Sequence, residues 1–370
     1  MKRIILLTIL LCSTCLLADA FAQKEFNSVE VRKWRENANY LGSPSGFSYL
    51  AEYRKVSVYS STQDRVLYRR MKGNQKVFSS KMGSYWGAAT IIDRSTSRIE
   101  VTRFSMYEPS GKHLYTLENP DVLGFILSDR APSLVGIEGS EGLPETRMRF
   151  FSEQGEHKKD IIFKDFMGGS FCADGSRFFA LSVDSGLYAY NPEGDLEYNI
   201  PCGIMHTVSN DGMLVLSYDQ NRLNLYYQSS LTNSTEFEIE SPHQLLIASD
   251  KRSAVVMNTS RAVCFSLPEM YILWEYRSED SSEALNTVAY DPVKKLYAFG
   301  TSLDNGPEHS FSDRYTRGRA IVLDSNGAKL GTAPVTFSSW SKGFPKVKFS
   351  DSDDILWVIC HFRLFKVPLK

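Results

Sequence analysis

Seven side chains carry the types and placement that could recognise a ligand: Trp86, His206, His243, Trp340, Arg314, Tyr315 and Arg317. Tryptophan and tyrosine can stack on sugars or fill a pocket on a protein partner, and arginine can meet a carboxylate with two parallel bonds. Trp86, His206, His243 and Trp340 fall where short β-rich runs begin. Arg314, Tyr315 and Arg317 lie in the longest polar insertion, TSLDNGPEHSFSDRYTRG (301–318). The competing expectation is that the aromatic residues are packing and the histidines are hydrogen-bonded structural groups.

No catalytic constellation accompanies them. The sequence has no GxSxG elbow, HExxH helix or glycine-rich phosphate loop. Ser182-Val183-Asp184-Ser185-Gly186 begins like the Asp-box of sialidases, but it lacks the following aromatic and occurs once. It reads as a turn. Asp351-Ser352-Asp353-Asp354 lacks the alternating spacing and glycine of a calcium loop. Past the N-terminal segment the cysteines are Cys172, Cys202, Cys264 and Cys360, sparse and mostly within apolar runs. They read as buried thiols, with Cys172–Cys202 the one bridge worth testing. No metal site, cofactor or catalytic residue is assigned. Asn233-Ser234-Thr235 and Asn258-Thr259-Ser260 fit the glycosylation sequon, which matters only in a secretory eukaryotic host.

A rigid frame must hold such loops, and internal repetition supplies one. Six stretches share a β-rich run, a turn opening on Ser, Asn or Asp, and a second, more apolar run: 124–137, 170–182, 207–217, 246–257, 287–300 and 347–360. IIDRSTSRIEVT (91–102) is a looser copy and FSYLAEYRKVSVYS (47–60) a plausible eighth. The turn aspartates are Asp93, Asp129, Asp174, Asp211, Asp250, Asp291 and Asp351, at gaps of 36, 45, 37, 39, 41 and 60. Asp, Asn and Ser side chains can accept bonds from backbone N–H groups in a turn, and Gly175 and Gly212 supply positive φ. Two further strands follow each hairpin, as in SFCADG, RFFALSV, GLYAYNPEG and DLEYNIP.

This pattern of strand, Ser/Asn-Asp-Gly turn, strand and Leu-Tyr-x-Tyr strand resembles the WD-repeat-like and quinoprotein-like β-propeller superfamily. The resemblance covers nearly all of the chain after the leader and concerns architecture. The Trp-Asp ending and Gly-His opening of true WD repeats are absent. It implies an all-β single propeller of eight four-stranded blades, with seven the alternative. The final unit has room for three strands, so a strand from residues 27–40 is expected to close it. A short helix near 28–38 is the other option. The resemblance also implies that inter-blade loops and second-to-third-strand loops share one face. The insertions 138–146 and 301–318 would then lie on that face together with Trp86, His206, His243 and Trp340.

The first 22 residues read as a secretory signal: basic Met1-Lys2-Arg3, an apolar core from Ile4 to Leu17, and Ala20-Phe21-Ala22 before the cut. Residues 23–370 form the propeller domain, secreted or periplasmic, with no membrane span. The net charge of −1 argues against a nucleic-acid partner. These features together point to a non-enzymatic binding module for a protein or extended glycan. The rival expectation is a polysaccharide hydrolase or lyase with its site at the channel mouth. Oligomeric state is left open.

Overall fold

The computed structural model describes residues 24–370 apart from 35–38, 53, 73, 95–97, 139–144, 279, 305–316, 337–344, 352 and 361, and apart from the side chains of 93–100. Every regular element in it is a β-strand. Eight sheets follow one another along the chain, as blades 1 to 8, over residues 39–70, 75–118, 124–164, 166–200, 206–236, 244–277, 283–336 and 346–368. Strands within a blade pair antiparallel in chain order. The first strands of most neighbouring blades touch, which places them around the axis. The protein is an eight-bladed propeller rather than a seven-bladed one.

Closure comes from the N-terminus. Val29–Lys33 pairs antiparallel with Arg363–Pro368 and supplies the fourth strand of blade 8. The strand option for 28–38 is the observed one. Lys24–Glu25 pairs in parallel with Lys329–Thr336, giving blade 7 a fifth strand that the sequence reading did not foresee. Between them Phe26 is buried in the layer between blades 7 and 8, and Trp34 in the layer between blades 8 and 1. Arg32 reaches blade 1, where it donates to Gln63 Oε1 at 2.9 Å and lies 3.3 Å from the Tyr59 ring centre.

The alternating strand pattern buries one side chain in two on each blade surface. The result is eight apolar layers among the described residues, one between each pair of neighbours. The four cysteines are free thiols, three buried and Cys202 half-buried, so the Cys172–Cys202 bridge does not form. Burial pushes the Cys264 thiol up to about 11.

The repeated aspartates sit where expected in six blades, in the turn between first and second strands, and Gly175 and Gly212 have φ of 68° and 70°. Several also lock one blade to the next. Asp129 accepts the backbone N–H of Met82 in blade 2 at 2.9 Å. Asp211 pairs with Lys251 of blade 6, and Asp250 accepts the Tyr290 hydroxyl of blade 7 at 2.7 Å. Asp93 is an exception. It faces Ile99 across the second and third strands of blade 2, and that blade's first turn is residues 80–85. Those two strands, Trp86–Arg94 and Arg98–Tyr107, are unusually long, so their hairpin imitates a repeat start. The copy at 47–60 is displaced by one strand in the same way, since Ser48–Glu52 and Lys55–Tyr59 are second and third strands.

Lys348, on the innermost strand of blade 8, projects to the Met82 sulfur of blade 2 at 2.8 Å. Burial pulls its amine down to about 8, against smaller opposing effects of Asp351 and Asp129, with Lys81 acting in the same direction as burial. The folded-state pKa is below the ordinary 10.5, so the unfolded chain binds the proton more tightly. The penalty is fully present below about pH 8 and is relieved as pH rises towards 10.5. Lys348→Met is therefore expected to raise stability at pH 7 by about 1–3 kcal/mol. It should also flatten the rise in stability across that window, which denaturant titrations at several pH values would check.

Candidate functional site

Two faces follow from the winding. The chain enters every innermost strand on one face, which also carries the turns between second and third strands. This entry face is where the sequence places a site. The opposite face carries the first-to-second and third-to-fourth turns.

Blade 4 and its exit into blade 5 build an apolar patch on the entry face. Met167 is the extra residue of a β-bulge between Phe166 and Gly168, and Gly168 follows at φ +152°, a region that favours glycine. The bulge re-aims Met167, which is 38% exposed. Val183, in the second-to-third turn, donates its N–H to the Asp165 carbonyl at 3.1 Å and is 48% exposed. Ile204, in the connection to blade 5, is 60% exposed. His206 fixes that connection: its Nδ1 lies 3.0 Å from the Ile204 carbonyl, which can only accept. Burial lowers the pKa of His206, against the bonds to Ile204 and Gly203, so the ring is neutral at pH 7.

On the same face, around blade 6, is a polar cleft of about 550 Å³ lined by Glu238, Glu240, Asn258, Ser260, Arg261 and Arg277 among others. Residues 237–240 run extended, with Phe237 and Ile239 buried and Glu238 and Glu240 exposed. Arg261 Nη1 donates to the Glu238 carbonyl at 3.2 Å, and Asn258 Nδ2 to the Glu240 carbonyl at 2.9 Å. Arg261 and Arg277 both grip Glu275, at 2.7 and 2.5 Å, and hold its carboxyl below the usual range. His243 ends the same connection. Its Nε2 donates to the Asn286 carbonyl at 3.3 Å, and burial lowers its pKa. Further on, the buried Glu283 accepts from Thr301 Oγ1 at 2.6 Å, Arg319 Nε at 2.7 Å and Ser278 Oγ at 3.1 Å, a satisfied clasp between blades 6 and 7.

The predicted residues divide. His206 and His243 lie on the entry face, both engaged with backbone carbonyls. Arg317 begins the third strand of blade 7 and is exposed there. Arg314, Tyr315 and Trp340, and most of loops 138–146 and 301–318, lie outside the described residues. The described ends of both loops are on the entry face. Trp86 is not on that rim. It opens the second strand of blade 2 opposite Ser79, next to the first turn and so at the other end of the blade. It is 0% exposed, donates Nε1–H to the Glu108 carbonyl at 2.8 Å and stacks on Tyr107 at 4.5 Å. Gln75–Ser79, not the run after Trp86, is the innermost strand of blade 2.

The patch residues were visible only as loop content. The available signal was an isolated apolar residue inside a polar connection, as with Val183 before Asp184-Ser185-Gly186. The shortest described His–carboxylate contact, His157 to Asp160 at 2.7 Å, lies on the outermost strand of blade 3, away from the channel. No group of three or more metal-binding side chains occurs among the described residues. Both sequon amides are in use: Asn258 as above, and Asn233 towards the carbonyls of Pro268 and Glu269 at 3.0 and 3.1 Å.

No family model matches the sequence, and no curated protein matches it. Solved WD40 propellers match the fold. The C-terminal WD40 domain of Sif2 aligns with TM-score 0.61 at 10% identity, covering 93% of this chain and 98% of that one. Saccharomyces cerevisiae Sqt1 aligns with TM-score 0.60 at 10% identity, over 93% and 99%. The Dos1 propeller aligns with TM-score 0.56 at 10% identity, over 94% and 96%. At that identity the likeness is one of fold: this chain is an eight-bladed β-propeller of WD-repeat-like architecture.

Proposed function

We propose that the chain is an exported, non-enzymatic scaffold that holds a protein partner on its entry face. The observation that carries the reading is the exposed Met167–Val183–Ile204 patch, on a face that also carries a polar cleft at blade 6. An apolar centre with a polar rim is how protein interfaces are built, and the WD40 architecture suits a protein-interaction scaffold. The patch is aliphatic and thioether, which fits an apolar protein side chain better than a sugar ring, whose usual platform is aromatic. Export rests on the basic, apolar and small-residue pattern of residues 1–22.

Ile204→Asp tests the reading. It places a charge in the middle of the patch, on a side chain that already faces solvent. Partner affinity, measured by calorimetry on the partner captured from the export compartment, should fall by about tenfold or more. The melting temperature should stay within about 2 °C, as for most surface changes. Unchanged affinity would remove the patch from the interface.

A further inference from the structure

The overall charge of −1 hides a strongly divided molecule. Residues 54–81, spanning blade 1 into blade 2, hold eight Lys/Arg and a single Asp, a local excess of +7. Residues 165–280, from the start of blade 4 to just past blade 6, hold sixteen Asp/Glu and six Lys/Arg, a local excess of −10. In a ring of eight, blade 1 stands opposite blade 5, so the two lobes lie across the axis from each other.

Each lobe also exposes apolar side chains. The outermost strand of blade 1, Arg65–Arg70, pairs on one side only, with Lys55–Tyr59, and leaves Val66 and Tyr68 about half exposed between Arg65 and Arg70. Neither Arg65 nor Arg70 forms an ion pair with a described residue; Arg65 rests against the Tyr68 ring at 5.7 Å. On the entry face, Asp165 and Asp184 adjoin Met167 and Val183, and Asp219 stands beside Gly203, next to Ile204. Their carboxylates likewise meet no described cation and accept no described hydrogen bond. Other carboxylates of this sector are paired, as in Arg222–Glu236 and Arg261–Glu275.

We propose that the occupant of the entry-face patch is a second copy of this chain, docking the basic, apolar edge of its blade 1. The inference rests on the entry face being a docking surface and names what docks there. Both halves of the contact are present in the one sequence: a free strand edge with two exposed apolar residues between arginines, and an apolar patch flanked by the carboxylates of Asp165, Asp184 and Asp219. Charge complementarity sets orientation and encounter rate, and the apolar contact supplies the desolvated centre. The two patches differ, so the contact is head-to-tail and adds copies in sequence. A near-zero net charge leaves no overall repulsion to oppose it.

The experiment is sedimentation velocity on the purified chain across a concentration series, at low salt and at about 0.5 M salt, where the screening length falls to a few ångströms. The expected result is a weight-average mass that rises with concentration at low salt and collapses to monomer at high salt. Arg65→Glu/Arg70→Glu should weaken association by at least about tenfold, and so should Asp184→Lys/Asp219→Lys. All four residues are exposed, so the variants should fold, and an unchanged melting curve checks this. A mixture of the two double variants brings reversed edge to reversed face and should associate again where neither does alone. Monomer at all concentrations in low salt would overturn the proposal. So would association that persists in both double variants, or a mixture that stays monomeric. If the chain is monomeric while Ile204→Asp still abolishes capture of a different protein, the entry-face reading stands and the second copy alone is excluded.

Discussion

Deleting residues 23–33 is expected to abolish cooperative folding of the propeller. They contain the outer strands of two blades, Lys24–Glu25 on blade 7 and Val29–Lys33 on blade 8. Without Val29–Lys33, blade 8 keeps three strands, and Arg363–Pro368 becomes a bare edge open to pairing with other chains. Without Phe26, the layer between blades 7 and 8 loses an aromatic that packs among Ala333, Val335 and Leu356. Without Arg32, blade 8 loses its bonds to Gln63 of blade 1. All three losses fall where the ring closes, and a ring of blades has stability that is largely neighbour-to-neighbour. The truncated chain should aggregate or melt without a sharp transition, read by circular dichroism and gel filtration. Phe26→Ala alone should fold, with a loss of about 3–5 kcal/mol. A truncated chain with an unchanged melting transition would show that the other interfaces suffice.

Trp86→Ala should cost about 3–5 kcal/mol and leave partner binding unaltered. The indole is enclosed between blades 1 and 2 by Tyr49, Val56, Val58 and Tyr107. Its Nε1–H is satisfied by the Glu108 carbonyl, so alanine removes both a large apolar volume and a hydrogen bond. It also leaves that carbonyl without its indole donor and removes one of the two rings under the Arg69 guanidinium. Trp86→Phe should recover much of the packing but not the bond. Chemical denaturation measures the loss. Weakened binding with unchanged stability would instead make Trp86 a contact residue.

The contrast between Trp86 and Ile204 shows what the sequence made legible. Turn chemistry repeats, so Asp129, Asp174, Asp211, Asp250, Asp291 and Asp351 marked six blades, and the short last unit announced an N-terminal closing strand. Strand position within a blade did not repeat as cleanly. In blades 1 and 2 the second and third strands carry the stronger β pattern, so the hairpin that resembles a repeat start lies one strand later than in the other blades. That displacement moved Trp86 to the wrong end of its blade. The inter-blade bonds of the turn aspartates were hidden, because an Asp that serves its own turn looks the same in sequence as one that also holds its neighbour. The patch was hidden for a different reason. Met167 is exposed because a bulge turns it outward, and a bulge leaves little trace beyond the glycine pair that follows it.

In the proposed function, partners meet the entry face. Site-specific photo-crosslinking in cells expressing the chain, with a photoreactive phenylalanine analogue placed at Ile204 or, as the control, at Tyr271, reads this out. Tyr271 is also well exposed, but it lies in a third-to-fourth-strand turn on the opposite face. The expected result is a discrete protein adduct from position 204 and none from position 271, and the adduct's mass shows whether the partner is a second copy. An adduct from position 271 with none from position 204 would contradict it.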